Sequence, residues 1–216
     1  GLVGSEMCIE TGTVFQSGKD AIVSDELFWN PHSVTGADLQ KRIQDTQAKG
    51  QRAGVVITPY AVFQGKATNE QFLDEIKNSG TDFVTIDPYY LGFGASSKEL
   101  FDWAKSFIPQ VKALGKEVKL VTQGFAPKGQ EQQALEHNQK MLALPGVSEF
   151  INFGLEDAKD LQGDPNWVSI GNDYTAAQPA AAPVANQTTG IASLQQSSTA
   201  FNLSLYTSDA ADEEDS

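Results

Sequence analysis

The chain has 216 residues, 40% hydrophobic and 20% charged, with 28 acidic residues against 15 basic ones. That length suits one globular domain with a sizeable core and is short for two, and no apolar run approaches the roughly 18–20 residues of a membrane-spanning helix. The formal charge of −13 argues against a nucleic-acid partner, because phosphate binding needs clustered Lys and Arg, and the single Cys8 excludes an internal disulfide framework or a multi-thiolate zinc site.

In chain order, residues 1–12 read as a non-native or disordered segment. The stretch from Gly1 to Ile9 resembles the peptide made when sequencing-adapter DNA is translated, as does the stretch from Ser204 to Ser216. Such ends are set aside from fold reasoning, and the missing leader then says nothing about secretion.

From residue 13 to residue 174 the pattern is a strand–helix alternation. Apolar runs at 20–25, 53–58, 82–87, 117–123 and 148–153 are short and rich in Val, Ile and Phe. Each is followed by a turn former or an acidic pair, which is how buried parallel strands read. Helices are predicted between them: 37–49, then one N-capped by Asn69, then one opened by the Ser96–Glu99 capping box, then 130–143. Gly50, Gly80, Gly115 and the Pro145-Gly146 pair stop them. Pro109 is expected to kink or break the third helix. Trp103, Phe107 and Phe72 fall on helix faces and read as core.

The strand ends recur about every 30 residues, the length of a βα unit. An open doubly wound sheet would also accommodate five such units, but no Gly-rich phosphate loop follows any strand: Gly92-Phe-Gly94 has no third glycine. The predicted fold is therefore α/β, a (β/α)8 TIM barrel truncated to its last five βα units. Residues 175–216 read as a disordered tail. They comprise an Ala/Pro/Ser/Thr/Gln-rich linker, uncharged from Thr175 to Ser208, and an acidic end. A linker of this kind joins a further domain in many secreted proteins, which gives the expectation of an extracellular or periplasmic setting.

Polar and aromatic residues follow each strand at the end that carries chemistry in barrels: Asp25, Glu26 and Trp29; Tyr60; Asp87, Tyr89 and Tyr90; Gln123 and Phe125; Glu156. Paired carboxyls suit general acid–base work, and aromatic rings suit stacking on sugar C–H faces. His32 and His137 have no ligand-spaced partners, so no metal is expected, and nothing in the pattern calls for a cofactor.

Three segments carry a resemblance: Ile22-Val-Ser-Asp-Glu-Leu-Phe-Trp-Asn-Pro31, Asp82-Phe-Val-Thr-Ile-Asp-Pro-Tyr-Tyr90 and Lys116-Glu-Val-Lys-Leu-Val-Thr-Gln-Gly-Phe125. In order and spacing they resemble strands four to eight of TIM-barrel glycoside hydrolases. The resemblance implies a carbohydrate substrate and hydrolysis of glycosidic bonds by two carboxyls. Glu26 or Asp25 would take the acid/base position and Asp87 the second acid, with Trp29, Tyr60, Tyr89, Tyr90, Gln123, Phe125 and Glu156 binding substrate. Gln123 departs from the pattern, because it stands where the family has a nucleophilic Glu. A catalytically inactive sugar-binding barrel therefore stays open, and so does a Schiff-base aldolase using Lys119. A partial barrel is also expected to expose a sheet edge and an apolar interior, so that residues 1–216 alone would be poorly stable, aggregation-prone and inactive.

Overall fold

The computed structural model describes residues 15–91, 93–155, 161 and 163–170. The adapter-like ends, the linker and Glu156 lie outside the described residues. The elements run β1 (Phe15–Ser17), β2 (Asp20–Ser24), α1 (Gly36–Ala48), β3 (Arg52–Ile57), α2 (Tyr60–Phe63), α3 (Asn69–Ser79), β4 (Phe83–Ile86), α4 (Ser97–Ala113), β5 (Glu117–Pro127), α5 (Glu131–Leu142), β6 (Glu149–Gly154) and β7 (Trp167–Ser169).

Strands β2 to β6 pair in sequence order, all parallel, as one α/β sheet that curls into a half-barrel. Alternation along each strand separates two buried faces. Val23, Val55, Ile57, Val84, Ile86, Val118 and Leu120 meet the helices on the convex side. Ile22, Val56, Phe83, Val121, Ile151 and Phe153 fill the concave side. Phe72, Trp103 and Phe107 lie in the convex core, as their helical spacing predicts.

The concave face is closed below by charge and above by rings. At the N-terminal ends of the strands, the buried Lys119 ammonium lies 2.5 Å from Asp20 and 2.6 Å from Glu149. Arg52 pairs with Glu117 and Asp20 beside it. Both cations lean on the Phe83 ring, which has room because the residue paired with it across the sheet is Gly54. At the other end Tyr89, Phe125 and Phe153 form a ring cluster, with Trp167 of β7 5.6 Å from Phe125.

Several expectations need correction. The outer edge of β2 is not open: β1 pairs with it antiparallel, Phe15 opposite Ile22. Nor is the concave interior exposed, since its apolar residues are buried under that ring cluster. The helix at 69 is capped by Thr68, which exchanges hydrogen bonds with Gln71, and Asn69 instead accepts one from the Trp103 indole at 2.9 Å. Helix α4 runs through Pro109 unbroken. Pro109 and Lys105 are both exposed, so the carbonyl that loses its partner is open to water. Strand β5 continues past Gln123 to Pro127, because Gly124 is not a stop. A Cβ there would sit 2.7 Å from the Asn152 side chain of β6, and the glycine permits that close approach.

Candidate functional site

The β2–α1 loop carries two of the expected acids. It is pinned to the sheet: the Leu27 amide donates to Val56 O at 3.0 Å. The Ser24 hydroxyl donates to Val34 O at 3.0 Å and accepts from the Val34 amide at 2.9 Å. Within it, Glu26 O accepts from the Trp29 and Asn30 amides, both at 2.9 Å. This tight turn puts Glu26 at φ 40° and Phe28 at φ 63°, left-handed conformations that side chains resist. Across the end of β3, the Asp87 amide donates to Ile57 O at 2.9 Å. Asp87 and the Glu26 loop therefore flank the same strand end.

Asp25, Glu26 and Asp87 act on one another. Burial pushes Asp25 up to about 6, against a hydrogen bond from Asn30. Burial and the adjoining Asp25 charge push Glu26 up to about 8, partly offset by Lys66. Asp87, 3% exposed, is driven well above the ordinary carboxylate range by burial and by the charges of Glu26 and Asp25, against a hydrogen bond from the Tyr89 side chain. Its Oδ1 has no hydrogen-bond partner, and neither has Thr85 Oγ1 two residues back on the same face of β4. Buried polar atoms are nearly always paired, so two orphans together mark a place for polar groups of water or ligand.

The rings divide. Phe125, 1% exposed, is packing within the concave cluster. Tyr60 is also buried: its hydroxyl donates to Tyr89 O at 2.5 Å, and burial lifts its pKa to about 12. Tyr89 lies between Phe93 at 5.2 Å and Phe153 at 5.6 Å. Tyr90 is half-buried against His137, ring centres 4.8 Å apart. Burial depresses His137 to about 4, so it stays neutral; its Nδ1 is 2.8 Å from Ser97 Oγ. Trp29 is half-buried, 6.1 Å from Tyr60, and the Lys66 ammonium lies 4.0 Å over its ring. Phe63 and Phe93 are the large exposed apolar side chains among the described residues, and both touch Tyr60. Neither these two nor Lys66 stands out in the sequence. Phe63 lies one turn after Tyr60, and Phe93 sits between two glycines.

Gln123 is buried and engaged. Its Oε1 accepts from the Tyr90 amide at 2.8 Å, its Nε2 donates to Leu91 O at 3.3 Å, and Asn138 of α5 bonds both its backbone groups. It braces the chain that follows Asp87. Among the described residues no group of three or more His, Cys, Asp or Glu is arranged to hold a metal ion, and no helix is long and apolar enough to cross a membrane. Comparison of the chain with protein-family models, curated proteins and solved structures gave no match.

Proposed function

We propose that the chain is the C-terminal part of a carbohydrate-active (β/α)8 barrel of the TIM type that hydrolyses glycosidic bonds at the Asp25–Glu26–Asp87 rim. The observation that carries this reading is the convergence of three desolvated carboxyls at the C-terminal ends of parallel strands, beside half-exposed rings. Glycoside hydrolysis needs one carboxyl that holds a proton and one that does not. Near neutrality Glu26, at about 8, holds its proton and Asp25, at about 6, is largely ionised. Glu26 protonates the leaving oxygen. Asp25 keeps Glu26 protonated. Asp25 is then the ionised carboxyl, and Asp87, held toward its protonated form by burial and by the charges of Glu26 and Asp25, is a second proton-holding carboxyl of the rim. The uncharged composition of residues 175–208 supports a linker to a further domain and an extracellular or periplasmic setting.

Reducing-end release from a panel of β-glucans, α-glucans, mannans and chitin, by the full gene product and by Glu26→Gln and Asp87→Asn, tests the reading. Turnover should fall by about 10²–10⁴ in each variant. Turnover unchanged in both removes the assignment.

The engagement of Gln123 favours a second reading, sugar binding without cleavage. Titration calorimetry showing affinity for a glycan that is never cut would select it. Lys119 does not favour an aldolase. Burial pulls its ammonium down, but the bonds and charges of Asp20 and Glu149 outweigh that and raise it, so the free amine a Schiff base needs is disfavoured.

A further inference from the structure

The Lys66 ammonium covers a face of the Trp29 ring. It sits 4.0 Å over the Trp29 ring, next to Glu26, on a side chain that is itself exposed. Its backbone is tied to α2. The Lys66 and Ala67 amides both donate to Ala61 O, at 2.8 and 3.0 Å, and Gly65 makes the left-handed turn before them at φ 68°. The Trp29 backbone is tied one turn from Glu26 through its amide bond to Glu26 O. An ammonium on an exposed side chain therefore lies over the Trp29 ring and close enough to Glu26 to act on its carboxyl.

We infer that a sugar ring entering the site displaces the Lys66 ammonium from the Trp29 face, so that occupancy withdraws the cation beside Glu26 and strengthens that carboxyl's hold on its proton. This rests on the carbohydrate reading above and adds to it a coupling between binding and arming of the acid. An ammonium and a sugar C–H face cannot share one indole face. The groups that face Glu26 are Asp25 in its own loop, Asp87 from the end of β4, and Lys66 from the α2–α3 connection. The two carboxyls favour its protonated form and Lys66 opposes them, so removing Lys66 moves Glu26 in the direction a proton donor requires. The contact is weak enough to yield. An exposed cation–π pair corresponds to about a two- to fivefold factor in an equilibrium constant.

The test follows the Trp29 indole N–H resonance and the Glu26 side-chain carboxyl titration by NMR. It uses the wild type, Lys66→Met and Lys66→Arg, each with and without cellotetraose, laminaritetraose, maltotetraose and chitotetraose. Without sugar, Glu26 should titrate roughly half a pH unit higher in Lys66→Met than in the wild type, while Lys66→Arg stays with the wild type. The tetrasaccharide that shifts Trp29 should bind Lys66→Met about two- to fivefold more tightly. It should also raise the Glu26 midpoint more in the wild type than in Lys66→Met. A sugar that shifts Trp29 but raises Glu26 equally in both proteins overturns the displacement and leaves the carbohydrate reading intact. No response of Trp29 to any of the four brings down that reading and this inference together.

Discussion

Gln123 accepts a hydrogen bond from the Tyr90 amide at 2.8 Å and so ties β5 to the chain three residues after Asp87. An amide can do this and a carboxylate cannot do all of it, because the second bond needs an N–H to give to Leu91 O at 3.3 Å. Gln123→Glu should restore no nucleophile. It should leave Leu91 O without that donor and bury a charge, costing roughly 1–3 kcal/mol in urea unfolding at pH 7, and less in acid where the new carboxyl is neutral. Equal stability at both pH values would show that the side chain does not brace the loop.

The raised carboxyls fix the sign of the pH dependence. A carboxyl whose folded value lies above its unfolded value stabilises the fold fully below the unfolded value and loses that contribution as pH rises through the folded one. For Asp25 that window is about 4 to 6, and for Glu26 about 4.5 to 8. His137, depressed to about 4, works oppositely and withdraws stability as pH falls from about 6.5. The melting temperature should therefore decline between pH 6 and pH 8.5. Glu26→Gln should flatten that decline and gain on the order of 2 kcal/mol over the wild type at pH 8.5. A wild-type curve that rises over this interval would contradict the desolvation of these groups.

Lys119 is the cation between Asp20 and Glu149 at the floor of the concave face. Removing the buried ammonium takes away the cation that Glu149 pairs with, while Asp20 keeps Arg52 at 3.5 Å. Lys119→Met should cost about 1–3 kcal/mol, and Glu149→Gln in the same chain should recover part of it. Denaturant midpoints of the wild type, the two single variants and the double variant measure the coupling.

Gly54 faces the Phe83 ring across paired strands, and a Cβ built on it would stand 2.1 Å from that ring. Gly54→Ala should destabilise by roughly 1–3 kcal/mol, and Gly54→Ala with Phe83→Leu by less, because the smaller side chain gives way. An equal loss in the single and double variants would place the strain elsewhere.

The parallel core of the half-barrel is legible because strands buried on both faces are continuous Val/Ile runs, and Gly80, Gly115 and the Ser96–Glu99 box punctuate the helices between them. Strands β1 and β7 are illegible because three residues carry no period, and their pairing is decided by partners far along the chain. Gln123 misleads for a related reason. Gly124 looks like a terminator but is there so that β5 can approach Asn152, and β5 runs on. At the site, Asp25, Glu26 and Asp87 are readable because strand ends place them. The burial of Phe125 and Tyr60 is not readable, since a ring at a strand end looks the same whether it faces solvent or the ring beside it.

The short hairpin formed by β1 and β2 reaches beyond its three residue pairs. Because β1 already occupies the outer hydrogen bonds of β2 along residues 20–22, another strand can pair directly with β2 there only by displacing it. A parallel neighbour for β2 on that side is thus a strand exchange, with two arrangements of one ladder in competition, rather than simple addition to a vacant border.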